Sequence, residues 1–212
     1  MALPSFMDAR YSVVVSYALE DDRRLGYWIN CFHKELQLTL RGRLRYTRLA
    51  PMLLRGRPLQ GDSTMPSKPF FALMVVVADK YVDSGKCLAD LKACAEYFDE
   101  DERHERVFLV SLSQPALERL RAAPDWASLC NGTEPLVIPF HTSGIRSTPL
   151  PMYSDAEDGR GGILAPDFVM QLCELREMLV RKIRRDVSDS SISSHPHLAA
   201  DAGSFATALS RH

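Results

Sequence analysis

Tyr11-Ser-Val-Val-Val-Ser-Tyr-Ala-Leu-Glu-Asp-Asp22 decides the fold. The β-branched run Val13 to Val15 stops at Ser16-Tyr17, and an acidic cluster, Glu20-Asp21-Asp22, follows. An amphipathic stretch from Arg23 to Leu40 comes next. This order predicts a buried strand, a short polar loop and a helix. In open α/β sheets the loop after such a strand lies at the carboxyl edge, where ligands bind.

The rest of the chain repeats the alternation. Asp21 or Asp22 suits the start of the first helix, because a carboxylate favours the positive helix end. Trp28, Ile29, Phe32, Leu36 and Leu40 recur at helical spacing, and Gly42 fits a helix stop. Leu44 to Leu49 alternates apolar and polar residues and reads as a second strand. The Pro- and Gly-punctuated stretch Ala50 to Pro69 reads as a long loop. Phe70 to Ala78 is continuously apolar, as expected of a central parallel strand buried on both faces.

A helix is expected from Lys86 or Cys87 to Phe98, and a strand from Arg106 to Leu112. A short helix from Gln114 to Ala123 should end at Pro124. Leu136 to Phe140 reads as a fifth strand, which Pro139 restricts to an edge or a strand end. A loop over His141 to Gly162 leads to a helix from Pro166 to Arg185, with Phe168, Leu172, Leu175, Leu179 and Ile183 on one side. The composition then turns to Ser, Ala, His and Asp. Residues 8–187 therefore read as one domain and 188–212 as a disordered tail or linker. The expected class is α/β: a five-stranded parallel sheet with helices on both faces.

Composition narrows the function. The 212 residues suffice for one domain, and 46% hydrophobic with 25% charged residues is an ordinary globular balance. A formal net charge of -1 gives no global basic field for nucleic acid or an anionic membrane. The 5 cysteines are scattered and form no CxxC pair, so neither zinc nor a disulfide framework is expected. With no signal-like N-terminus, this suggests a reducing cytosol. The run Phe70 to Ala78 is too short to span a bilayer as a helix. No Gly-rich phosphate loop of the GxGxxG or Walker kind is present.

Over Tyr11 to Arg185 the chain resembles the TIR (Toll/interleukin-1 receptor) domain, bacterial type. The matching pieces are the Val-Ser-Tyr-Ala strand end, the acidic start of the first helix, the long loop after the second strand, and the third strand. The most diagnostic piece is Asp79-Lys-Tyr-Val-Asp-Ser-Gly-Lys-Cys-Leu-Ala-Asp-Leu91. In the family a serine-rich turn leads into Trp-Cys-x-x-Glu-Leu, and here the equivalent is Lys86-Cys87-Leu88-Ala89-Asp90-Leu91. Cys87 and Leu91 match. Lys86 replaces the usual Trp, and Asp90 replaces the glutamate that catalytic members carry.

The resemblance implies a flavodoxin-like TIR fold and cleavage of the nicotinamide–ribose bond of NAD, with NAD as substrate and no cofactor. It implies Asp90 as the catalytic carboxylate and a substrate-binding set of Ser16, Tyr17, Ala18, Lys86 and Cys87. It also implies a prokaryotic defence or signalling system in which self-assembly with other TIR domains, or a sensor protein, switches activity on. Each residue has a plainer reading: Asp90 as a solvated helix-face residue, Ser16 as a turn cap, Tyr17 as a packing residue, Lys86 as solvated and Cys87 as small core. The arginines from Arg41 to Arg57 read as solvated charges rather than a patch for phosphate or an acidic partner, and His104 and His141 have no carboxylate partner at metal-ligand spacing. Two functions stay open: an NAD hydrolase, and a TIR interaction module that has lost its chemistry. A flavodoxin-like or nucleoside-processing domain outside the family is a third.

Overall fold

β3 (Phe70–Val77) is buried along its whole length and forms the centre of the sheet. The computed structural model describes residues 6, 9, 11–44, 53–55, 70–98, 105–130, 133–143, 147–154 and 162–193. β1 (Tyr11–Ser16) and β4 (Val107–Ser111) flank β3, and β5 (Leu136–Pro139) lies outside β4; all of these pairs are parallel. A short segment, β2 (Leu53–Arg55), adds to the far side of β1, also parallel, with Val14 opposite Leu54. The order β2-β1-β3-β4-β5 is compatible with a flavodoxin-like fold, whose switch point lies between β1 and β3.

Strand alternation builds two cores. Val13, Val15, Met74, Val76, Phe108 and Val110 face α2 (Trp28–Leu44) and the last helix, α6 (Pro166–Ser193). Val14, Leu73, Val75, Val77 and Leu109 face α3 (Gly85–Tyr97), α4 (Gln114–Arg121) and α5 (Pro124–Cys130). Period-two side chains on a sheet buried on both sides require this division. The first core is centred on aromatics: Trp28 stacks on Phe32 and meets Phe140 and Phe168 edge-on. Trp28 Nε1 donates to the Leu150 carbonyl at 2.9 Å, so the buried indole keeps its polar partner.

Several expectations need correction. The helix read over Arg23 to Leu40 is two helices, α1 (Leu19–Arg24) and α2, broken at Gly26 (φ 61°) and Tyr27 (φ 64°). Two consecutive left-handed residues end the helical ladder and turn the chain so that Trp28 enters the core. Gly42 does not stop α2, which continues to Leu44. Leu44 is therefore helical and fully buried rather than the start of a strand, and 45–49 lie outside the described residues. β2 falls inside the stretch read as a loop, because three residues suffice to pair with β1.

Pro124 does not merely end a helix. It opens α5, where the missing N–H costs nothing. α6 runs to Ser193, into the segment read as a disordered tail; residues 194–212 lie outside the described residues. Pro139 ends the edge strand β5, as its chemistry predicts.

The amino side of the sheet is tied by Arg106, 5% exposed, just before β4. Its guanidinium donates to the Phe71 carbonyl and to Asp186 Oδ1 of α6, each at 3.3 Å, and lies 4.7 Å from the centre of the Phe71 ring. Asp186 Oδ2 accepts the Phe6 N–H at 2.7 Å. One buried ion pair thus joins the N-terminal segment, β3, β4 and α6.

Candidate functional site at the carboxyl edge

Ser16 is the last residue of β1, and its side chain enters the space between the sheet and α3. Its Oγ donates to Asp90 Oδ2 at 2.8 Å and lies 3.1 Å from the Tyr81 hydroxyl. Tyr81, fully buried in the loop between β3 and α3, also reaches the Cys87 carbonyl at 3.4 Å. Ser16 gives its proton to Asp90, and the single Tyr81 proton is shared between the Cys87 carbonyl and Ser16 Oγ. The result is a buried chain, Tyr81 to Ser16 to Asp90, drawing on β1, the loop and α3.

Ser84 starts α3. Its Oγ accepts the Cys87 N–H at 3.3 Å, a serine N-cap that satisfies one free donor of the first turn. Cys87, Leu91 and Asp90 are all turned inward. Asp90 is 7% exposed, which rules out the plain reading of a solvated helix-face residue. Burial pushes its carboxyl up to about 6, although the Ser16 hydrogen bond and the Lys86 charge pull it down. Asp90 therefore titrates near 6, well above an ordinary aspartate.

The other expected site residues divide. Lys86 is half-buried at the start of α3, and its positive charge acts on Asp90. Cys87 is a core residue, and burial pushes its thiol up to about 11, so it is no thiolate nucleophile at neutral pH. Ala18 is buried on the α3 side, and its carbonyl accepts the Asp21 and Asp22 N–H groups at the start of α1. Tyr17 packs against the opposite core, facing α2 and α6, so the fold does not bring it to Asp90.

Sequence reasoning missed the tie beside this chain. Both Asp21 oxygens accept the Lys80 N–H at 3.0 Å, so Asp21 holds the β3–α3 loop rather than capping its own helix. Burial raises the Asp21 carboxyl, with the neighbouring Asp79 adding to the effect. Asp22 Oδ1 takes the Asn30 N–H at 3.1 Å and so caps α2 across the Gly26–Tyr27 break. Asp79 accepts from Ser113 Oγ at 3.1 Å. The acidic cluster after β1 was the one visible signal for Asp21. Tyr81 carried none beyond its place after the central strand.

An open cleft of about 140 Å³ lies at this edge, lined by Asp21, Arg24, Asp79, Ser113 and Ser147 among others. Asp90 is not among its lining residues. Among the described residues, no group of three or more His, Cys, Asp or Glu side chains can hold a metal ion, and no helix is long and apolar enough to cross a membrane. Comparison with protein families, characterised proteins and solved structures finds no match to this chain.

Proposed function

We propose that the chain is a TIR-like NAD hydrolase in which Asp90 is the catalytic carboxylate. One observation carries this reading: a carboxylate buried at the switch-point edge of a parallel sheet, held by Ser16 and titrating near 6. Buried, strongly shifted carboxylates concentrate at functional sites, because an unused one only costs stability.

The chemistry suits such a group. The bond from ribose C1′ to the nicotinamide nitrogen breaks with its electron pair going to the ring, which becomes neutral nicotinamide. The ribose is left with oxocarbenium character, which a carboxylate stabilises. Water then adds to C1′ and loses a proton, which this reading assigns to Asp90. The products are nicotinamide, ADP-ribose and a proton. Asp90 Oδ2 is held by Ser16, and the reading assigns Oδ1 to the ribose. Aspartate sets that oxygen back by about an ångström relative to glutamate, and misplacement of that size costs about a hundredfold in rate. A slow enzyme is therefore expected.

The 140 Å³ cleft is smaller than the ~300–1,000 Å³ of ligand pockets. That fits a switch in which self-assembly, with or without a sensor protein, completes the nucleotide site, as in a prokaryotic defence or signalling system. The same observation, with Lys86 and Asp90 at the altered positions, favours the second reading, a TIR interaction module without chemistry.

Concentrated protein incubated with NAD, with and without a crowding agent, separates the two. Nicotinamide release that rises more than linearly with protein concentration supports the hydrolase. Concentration-dependent assembly without release supports the module.

A further inference from the structure

A second cleft, of about 310 Å³, opens at the opposite, amino edge of the sheet, between β4, β5 and α6. Its floor is apolar. Phe108 and Leu136 are paired across β4 and β5, and Met178 of α6 lies beside them. Leu136 is 38% exposed and so presents apolar surface to the cleft.

The wall is cationic. Arg181, Lys182 and Arg185 project from α6, and Glu105 is the one carboxylate among the described lining residues. Lys182 pairs with Glu105. Arg185 Nη1 is 3.9 Å from Glu105, at the limit of an ion pair, and Arg181 Nε donates to the Glu177 carbonyl at 3.4 Å. Both guanidiniums are on exposed residues whose heads can turn to an anion without breaking a short bond. The lining therefore carries a net positive charge of two beside an apolar floor.

Charge and shape select the ligand. A phosphate monoester carries close to two negative charges at neutral pH and several strong acceptors, and guanidinium forks match it. A monocarboxylate would leave one positive charge unmatched, and inorganic phosphate would leave the floor empty. The volume is at the small end of ligand pockets. We propose that this cleft binds a small phosphate monoester with an apolar body, its phosphate between Arg181 and Arg185 and its body on Phe108, Leu136 and Met178. The site is independent of the Asp90 chemistry.

Titration of the full chain with phenyl phosphate and, separately, inorganic phosphate tests the proposal. Phenyl phosphate is expected to bind saturably and about tenfold or more tighter than inorganic phosphate, the margin that covering a ring provides. Arg181→Gln with Arg185→Gln should lose about tenfold or more in affinity while melting unchanged without ligand. Arg185→Gln alone, whose side chain is 69% exposed, guards against a folding defect and should show part of the loss. No saturable binding of phenyl phosphate, no preference over inorganic phosphate, or equal binding by the double variant would each overturn the proposal.

Discussion

Ser16 Oγ donates to Asp90 Oδ2 at 2.8 Å, joining the end of β1 to α3 across 74 residues of chain. This contact makes the buried carboxylate tolerable. It also ties the end of β1 to the helix that carries Cys87, Asp90 and Leu91.

Asp90→Asn should stabilise the protein at neutral pH. The carboxyl is raised from 3.8 to about 6 in the fold, so the native state holds the proton more tightly than the unfolded chain. The stability of protonated Asp90 is complete below pH ~4 and is lost as pH rises through about 6. Denaturant melts at pH 7.5 should show the variant more stable by about 1–3 kcal/mol, with the gain vanishing at pH 4.

Ser16→Ala should act in the opposite direction. It leaves an ionised, buried Asp90 without the Ser16 hydroxyl that donates to it, while the Tyr81 hydroxyl keeps the Cys87 carbonyl. A loss of about 1–3 kcal/mol at pH 7.5 is expected, smaller at pH 4. The NMR titration of Asp90 should move to higher pH, because the hydrogen bond that lowers it is gone.

The break between α1 and α2 carries backbone strain in a non-glycine residue, Tyr27 at φ 64°. Its side chain is 57% exposed, so little packing is lost on truncation. Tyr27→Gly should raise stability by about 1 kcal/mol, and Gly26→Ala should lower it by about as much even though a Cβ there meets nothing within 4 Å. Thermal melts of the two variants check the opposite signs.

Removing one partner of the Arg106–Asp186 pair should be costly. The side chains are 6% and 12% exposed, so Asp186→Ala removes the carboxylate that faces a buried guanidinium and leaves the Phe6 N–H without its acceptor. A loss of about 3–5 kcal/mol in chemical denaturation is expected.

The sheet was legible because β3 is an unbroken apolar run and β1 ends sharply at Ser16: a strand buried on both faces can hardly be written otherwise. The break at Gly26-Tyr27 was not, because the apolar spacing from Trp28 onward reads as one helix and only the backbone dihedrals reveal the turn. β2 was missed since three residues carry no period. The helix through Ser193 was missed because serines weaken helix propensity without forbidding it. At the site, Asp90 and Ser16 were named from the family resemblance, but their contact and burial follow from how α3 packs Cys87 and Leu91 against the sheet. Tyr17 packs on the other core from Ser16 because adjacent residues at a strand end face opposite sides of the sheet, which sequence adjacency hides.

The most direct measurement is nicotinamide release from NAD by wild type and Asp90→Asn, both shown folded, at pH 7.5 under crowding. We expect slow release by wild type, following a group that titrates near 6, and a loss of about a hundredfold or more in the variant. Equal release by the two proteins, or none by wild type under conditions where it assembles, would contradict Asp90 as the catalytic carboxylate.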